Sequence, residues 1–68
     1  MEEKDILLDE CVEYAKQTGM MSSSLLQRRF VLGYLRARKI MAQMEELGVF
    51  DKANQGEYDK ERRIAIQN

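Results

Sequence analysis

Five basic residues, Arg28, Arg29, Arg36, Arg38 and Lys39, stand within a short central stretch of the 68-residue chain, and no acid separates them: the flanking carboxylates are Glu13 and Glu45. A guanidinium fork can bond two acceptors at once, on a phosphate or a guanine edge, whereas an ammonium reaches either as a flexible point charge. Tyr34 sits inside the run and either staples a turn or offers its hydroxyl to a phosphate. Catalytic chemistry has little to work with. There is no histidine, the one cysteine is Cys11, and no glycine loop could cradle a phosphate. General-base, disulfide and Cys-rich zinc chemistry are thereby excluded, and neither an enzyme, a cofactor, a metal nor a small-molecule substrate is expected.

The net charge of −1 hides a strong polarity along the chain. Residues 1–17 carry six acids against Lys4 and Lys16, a balance of −4; residues 18–48 set the five bases against Glu45 and Glu46, a balance of +3; residues 49–68 are neutral. Hydrophobic residues make up 44% of the chain and charged residues 34%, a balance that supports one small folded domain. No apolar run approaches the length that spans a bilayer, and the acidic start is unlike a secretory signal, so a cytoplasmic location without membrane contact is expected.

The elements that must hold the basic cluster follow from spacing. Leu8, Cys11, Val12 and Ala15 recur at helical steps and predict a first helix over about 4–17, closed at Gly19. Ser22, Ser23 and Ser24 are N-cap candidates for a second helix over about 24–31 that buries Leu26 and Phe30. Gly33 predicts a tight turn, and a third helix over about 34–47 turns Ala37, Ile40, Met41, Met44 and Leu47 inward before Gly48 caps it. Met20, Met21, Met41 and Met44 are expected to fill the core, as is Cys11. Val49–Phe50 and Ile64–Ile66 predict two short strands flanking a polar tip. The order predicts a mostly α fold with a small β-hairpin: a winged helix-turn-helix in one domain over 1–68, with its wing over about 49–67.

The runs "DILLDECVEYA", "SLLQRRF" and "GYLRARKIMAQMEELGVF" resemble the C-terminal gamma domain of the bacterial FtsK and SpoIIIE chromosome translocases. The likeness covers roughly residues 5–50 and fades in the wing. It implies a winged helix whose third helix enters the major groove of oriented DNA sites, in several copies, beside a motor elsewhere in a longer chain. It further implies contact with a recombinase that resolves chromosome dimers. At Ser23 the family usually carries a β-branched apolar residue that starts a strand against the wing, so that strand is expected to be weak or absent.

A wheel of about 100° per residue places Leu35, Lys39, Ala42 and Glu46 on the outward line of the third helix, flanked by Arg36, Arg38 and Gln43. The family pattern has Asn, Arg and Glu where this chain has Leu35, Lys39 and Ala42, and in the family those positions read bases. Leucine and alanine offer no donor or acceptor, so the expected DNA preference differs from the family's. Arg28, Arg29, Tyr34, Arg36 and Arg38 are expected to hold backbone phosphates while Leu35, Lys39 and Ala42 face bases. Arg62 and Arg63 could reach DNA from the wing. Bland alternatives accompany each: Arg28 and Arg29 favour a helix C-terminus in any case, and a slight rotation would bury Leu35. The rival reading of the same helix is a protein-interaction or self-association surface.

Overall fold

The computed structural model describes residues 3–65 and consists, in chain order, of α1 (Leu8–Thr18), β1 (Met20–Met21), α2 (Ser23–Phe30), α3 (Tyr34–Glu46) and β2 (Arg62–Arg63). β1 and β2 pair antiparallel, with Met20 opposite Arg63 and Met21 opposite Arg62. The wing doubles back through a bridge between Phe50 and Ile64. Three helices with this small sheet make a winged helix. The strand at β1 is present, two residues before Ser23, because the ladder needs only the backbone of two methionines. The wing differs too: only a single bridge joins the expected strands, and β2 gives its regular pairing to β1 instead. Ile66 lies outside the described residues.

α1 begins four residues later than its spacing suggests. Asp5 makes a turn first: its carboxylate accepts from the Leu7 amide at 2.9 Å, and its carbonyl accepts from Leu8 at 3.0 Å. Gly19 then takes a left-handed backbone (φ 82°) and closes α1 onto the Ala15 carbonyl. α2 starts on a side-chain cap, Ser22 Oγ accepting from the Leu25 amide at 3.2 Å. α3 ends in a Schellman arrangement: Gly48 (φ 77°) donates to Glu45 and Val49 donates to Met44. Buried Met44 and Val49 supply the apolar contact that accompanies it.

The core joins Leu8, Cys11 and Ala15 of α1, Met21, Leu26 of α2, Ala37, Ile40, Met41 and Met44 of α3, and Val49, Phe50 and Ile64 of the wing. Phe30 is only partly buried and packs against its edge, and two expected members are outside it. Leu47 is half exposed where the helix has already turned into its cap, and Met20 points away from the core as the alternation of β1 requires. Burial pushes the Cys11 thiol up to about 11, so it behaves as a small apolar side chain.

Behind the wing, Arg62 is a buried cation. Its Nη2 meets Glu45 Oε2 at 2.9 Å and the Asp51 carbonyl at 3.2 Å, and its guanidinium lies 4.9 Å from the Phe50 ring centre. Glu45 accepts also from the Gly56 amide at 3.1 Å and from the Tyr58 hydroxyl at 2.9 Å. One carboxylate thus fastens three points of the wing to the last turns of α3. Removing one partner of a buried ion pair costs about 3–5 kcal/mol, a large share of what a small domain possesses.

The turn between α2 and α3 holds a conflict. Gly33, with φ −70°, has an ordinary backbone, while Val31 takes the left-handed conformation (φ 56°, ψ 56°) with its side chain 89% exposed. A β-branched residue is an outlier there, and asparagine tolerates it better. Val31→Asn should therefore raise stability by about 0.5–1 kcal/mol and the melting midpoint by a few degrees. Thermal melts of both chains check this; a lower midpoint for the variant would show that no strain is stored at Val31.

Candidate nucleic-acid interface

The inward face of α3 fixes what its outer face can present. Ala37, Ile40, Met41 and Met44 are fully buried, so Leu35, Lys39 and Ala42 point the other way, and Leu35 is 73% exposed. Burial of Leu35 by rotation of the helix is thereby ruled out. These residues share an open trough of about 650 Å³, with Arg36 and Arg38 beside them, Asp5 on one wall and Tyr58 of the wing on another.

The arginines of α3 are more engaged than their spacing suggests. Arg36 makes a two-pronged pair with Asp5, Nε to Oδ2 and Nη2 to Oδ1, each at 2.9 Å. The cluster was expected to lie uncompensated up to Glu45; the acid that answers it comes instead from 31 residues earlier. Gln43, seven residues after Arg36 and on the same side of α3, grips residues 3–5 again, donating to the Glu3 carbonyl at 3.0 Å and accepting from the Asp5 amide at 2.9 Å. The Arg36 hydrogen bond holds the Asp5 carboxyl below its ordinary range, and Asp5 in turn pushes Arg36 up.

Arg38 lies between two tyrosines, 5.9 Å from the Tyr34 ring centre and 5.4 Å from that of Tyr58. The Tyr34 hydroxyl donates to Asp59 Oδ2 at 2.7 Å, and Ser23 donates to the other oxygen at 2.8 Å. The Tyr34 bond draws the Asp59 carboxyl down, aided by Ser23, and raises the Tyr34 hydroxyl. Ser23 thus pins the wing by a polar bond.

Arg28 and Arg29 close α2 on the exposed side. Arg29 also rests over the rings of Tyr14 and Phe30, at 5.4 and 5.2 Å. Lys39 is exposed and makes no ion pair among the described residues. In the wing the two arginines part. Arg63 is exposed, whereas Arg62 is sealed behind Phe50 and Glu45 and cannot contact DNA from there.

Sequence reasoning missed Asp5, Glu45 and Tyr58, which set how the basic residues stand, and placed Gln43 beside the outer face without its partners. The lone aromatic of the polar tip, Tyr58, was a visible signal.

The sequence model of the FtsK gamma domain fits residues 2–67, and the chain belongs to that family. The DNA translocase FtsK of Clostridium tetani is 40% identical over 65 residues, 96% of this chain. Those of Pasteurella multocida and Haemophilus influenzae are 44% and 43% identical, each over 54 residues and 79% of this chain. The chain spans only 8%, 6% and 10% of the lengths of these three relatives. No helix among the described residues is long and apolar enough to cross a membrane.

The carboxylates of Asp5, Glu45 and Asp59 also set an acid response. For Glu45, burial raises the carboxyl, but the bonds from Tyr58, Gly56 and Arg62 outweigh it and the net shift is downward. Asp5, Glu45 and Asp59 all sit below their ordinary values of 3.8, 4.5 and 3.8. Their contribution is complete above those values and is lost as pH falls through the lower folded ones. Melting midpoints should therefore hold level above about pH 5 and drop below about pH 4. In Asp5→Asn, which keeps the acceptor for Leu7, the drop should be shallower. An equal drop in both would mean that the Asp5–Arg36 pair adds no stability in solution.

Proposed function

We propose that this domain is a non-enzymatic binder of double-stranded DNA that lays α3 in the major groove. The observation that carries this is the division of α3: an apolar side wholly consumed by the core, and an outer side bearing Arg36, Arg38 and Lys39 next to exposed Arg28 and Arg29. In this reading Arg28, Arg29, Tyr34, Arg36 and Arg38 hold the backbone, and Leu35, Lys39 and Ala42 face base edges. Arg36 must then exchange Asp5 for a phosphate, and Tyr34 must share or leave Asp59. Leu35 and Ala42 can meet a thymine methyl but bond nothing, so the preferred sequence departs from the family's pattern.

Small single modules bury only about 600–1,000 Å² on DNA, so useful affinity calls for several copies or a tethered motor, as the names of the full-length relatives suggest. Further copies of this domain, a recombinase and a place in the cytoplasm belong to the same proposal. A second reading, a protein-interaction surface, rests on the exposure of Leu35 at the centre of the outer face.

Duplex titrations at rising salt separate the two. Four to five phosphate contacts predict a linear loss on logarithmic axes with a slope of about −4; failure to bind even at low salt defeats the DNA reading and leaves the protein surface. Selection of bound duplexes from a random pool should return a different sequence for Leu35→Asn than for the native chain. If the two selected sequences agree, Leu35 does not face bases.

A further inference from the structure

Arg38 is half-buried and, like Arg29, lies close to two aromatic rings, but it makes no ion pair among the described residues. Its guanidinium lies between two rings brought from different parts of the chain, Tyr34 at the start of α3 and Tyr58 in the wing. Each ring is itself tied down: Tyr34 through its hydroxyl to Asp59, Tyr58 through its hydroxyl to Glu45, at 2.7 and 2.9 Å. The carbonyl of Tyr58 accepts from the Ser23 amide at 2.9 Å, which fixes the backbone behind the ring. Nε of Arg38 is buried and has no partner, and the residue lines the trough shared with Leu35, Lys39 and Ala42.

A guanidinium whose plane is set by flanking rings forfeits less rotational freedom on binding than a free side chain. Desolvating Nε without a bond is unfavourable, and the rings offset this by attraction to the cation.

We infer that Tyr58 is a positioning residue, which with Tyr34 holds Arg38 as a fixed fork for a pair of acceptors on duplex DNA. This rests on the DNA reading above and changes one assignment within it, making Arg38 the directed contact of α3 where Lys39 is flexible and Leu35 and Ala42 are mute. The acceptors are those of a guanine edge or of one phosphate. Both present two acceptors to a planar fork.

The test is a double-mutant cycle on duplex affinity with Tyr58→Leu and Arg38→Ala, with Tyr58→Phe as the control that keeps the ring. Tyr58→Leu should weaken binding about three- to tenfold in the native background and not at all once Arg38 is alanine. Tyr58→Phe should bind like the native chain even though it loses the bond to Glu45 and melts lower. Equal losses from Tyr58→Leu with and without Arg38, or a loss in Tyr58→Phe matching that of Tyr58→Leu, would overturn the inference.

Selection from a random pool assigns the acceptors. A guanine lost from the selected site in Arg38→Ala marks a base edge; an unchanged site with a shallower salt slope marks a phosphate. The cradle has its own readout without DNA. The Arg38 Nε–H proton resonance should be observable and slow to exchange at neutral pH, and should vanish in Tyr58→Leu. Should it vanish already in the native chain, the fork is not held. Absence of all native binding at low salt, with the resonance intact, would instead strike the DNA reading and with it the role given to Arg38.

Discussion

One carboxylate, Glu45, governs how the wing sits. It stands in the last turns of α3 and takes three donors from an otherwise irregular segment: the Gly56 amide, the Tyr58 hydroxyl and the Arg62 guanidinium. The Arg62 side chain is wholly withdrawn from solvent, so the pair exists only because both ions keep each other and the Asp51 carbonyl shares the charge. Once Arg62 is fixed, β2 is fixed with it, because Met21 faces Arg62 in the ladder and Ile64 bridges to Phe50 beside it. A wing with two-residue strands could not hold such a shape by strand pairing alone. Here its position derives from a charge on the helix it covers.

That arrangement explains why the fold was legible in the sequence and much of the site was not. Helical spacing reports which side of a helix goes inward, and Ala37, Ile40, Met41 and Met44 lie buried as their steps of three and four require. Gly48 and Ser22 act as caps through contacts within a few residues, which local sequence encodes. Asp5 with Arg36 and Glu45 with Arg62 are partners across 31 and 17 positions, and no periodicity links them. Charges were read as solvent-facing by default, which placed Arg62 outside when it is in. The turn after α2 shows the same limit in the backbone: glycine marks the place where a left-handed residue is easiest, yet the chain spends that conformation on Val31 and leaves Gly33 ordinary.

Net charge, too, misleads without geometry. The chain is nearly neutral, and its acidic opening is not simply distant from its basic centre. Asp5 is folded against α3 and occupies Arg36 with the two-oxygen geometry that a phosphate would use. A carboxylate already in place lowers the net gain from a phosphate at Arg36, since one charge-assisted pair is broken as another forms. Among the described residues of α2 and α3, the cations left without an ion pair are Arg28, Arg29, Lys39 and Arg38.

The wing therefore has a different physical role from the groove-reaching hairpin that two adjacent arginines suggest. Arg62 is consumed inside, and of the wing's acids Glu57 pairs with Lys60 while Asp59 accepts from Tyr34 and Ser23. What the wing offers outward is an aromatic ring set against Arg38. A ring carries no sequence information, but it can decide where a neighbouring fork points. The wing then acts as a buttress for α2 and α3, and its stiffness traces back to the carboxylate of Glu45.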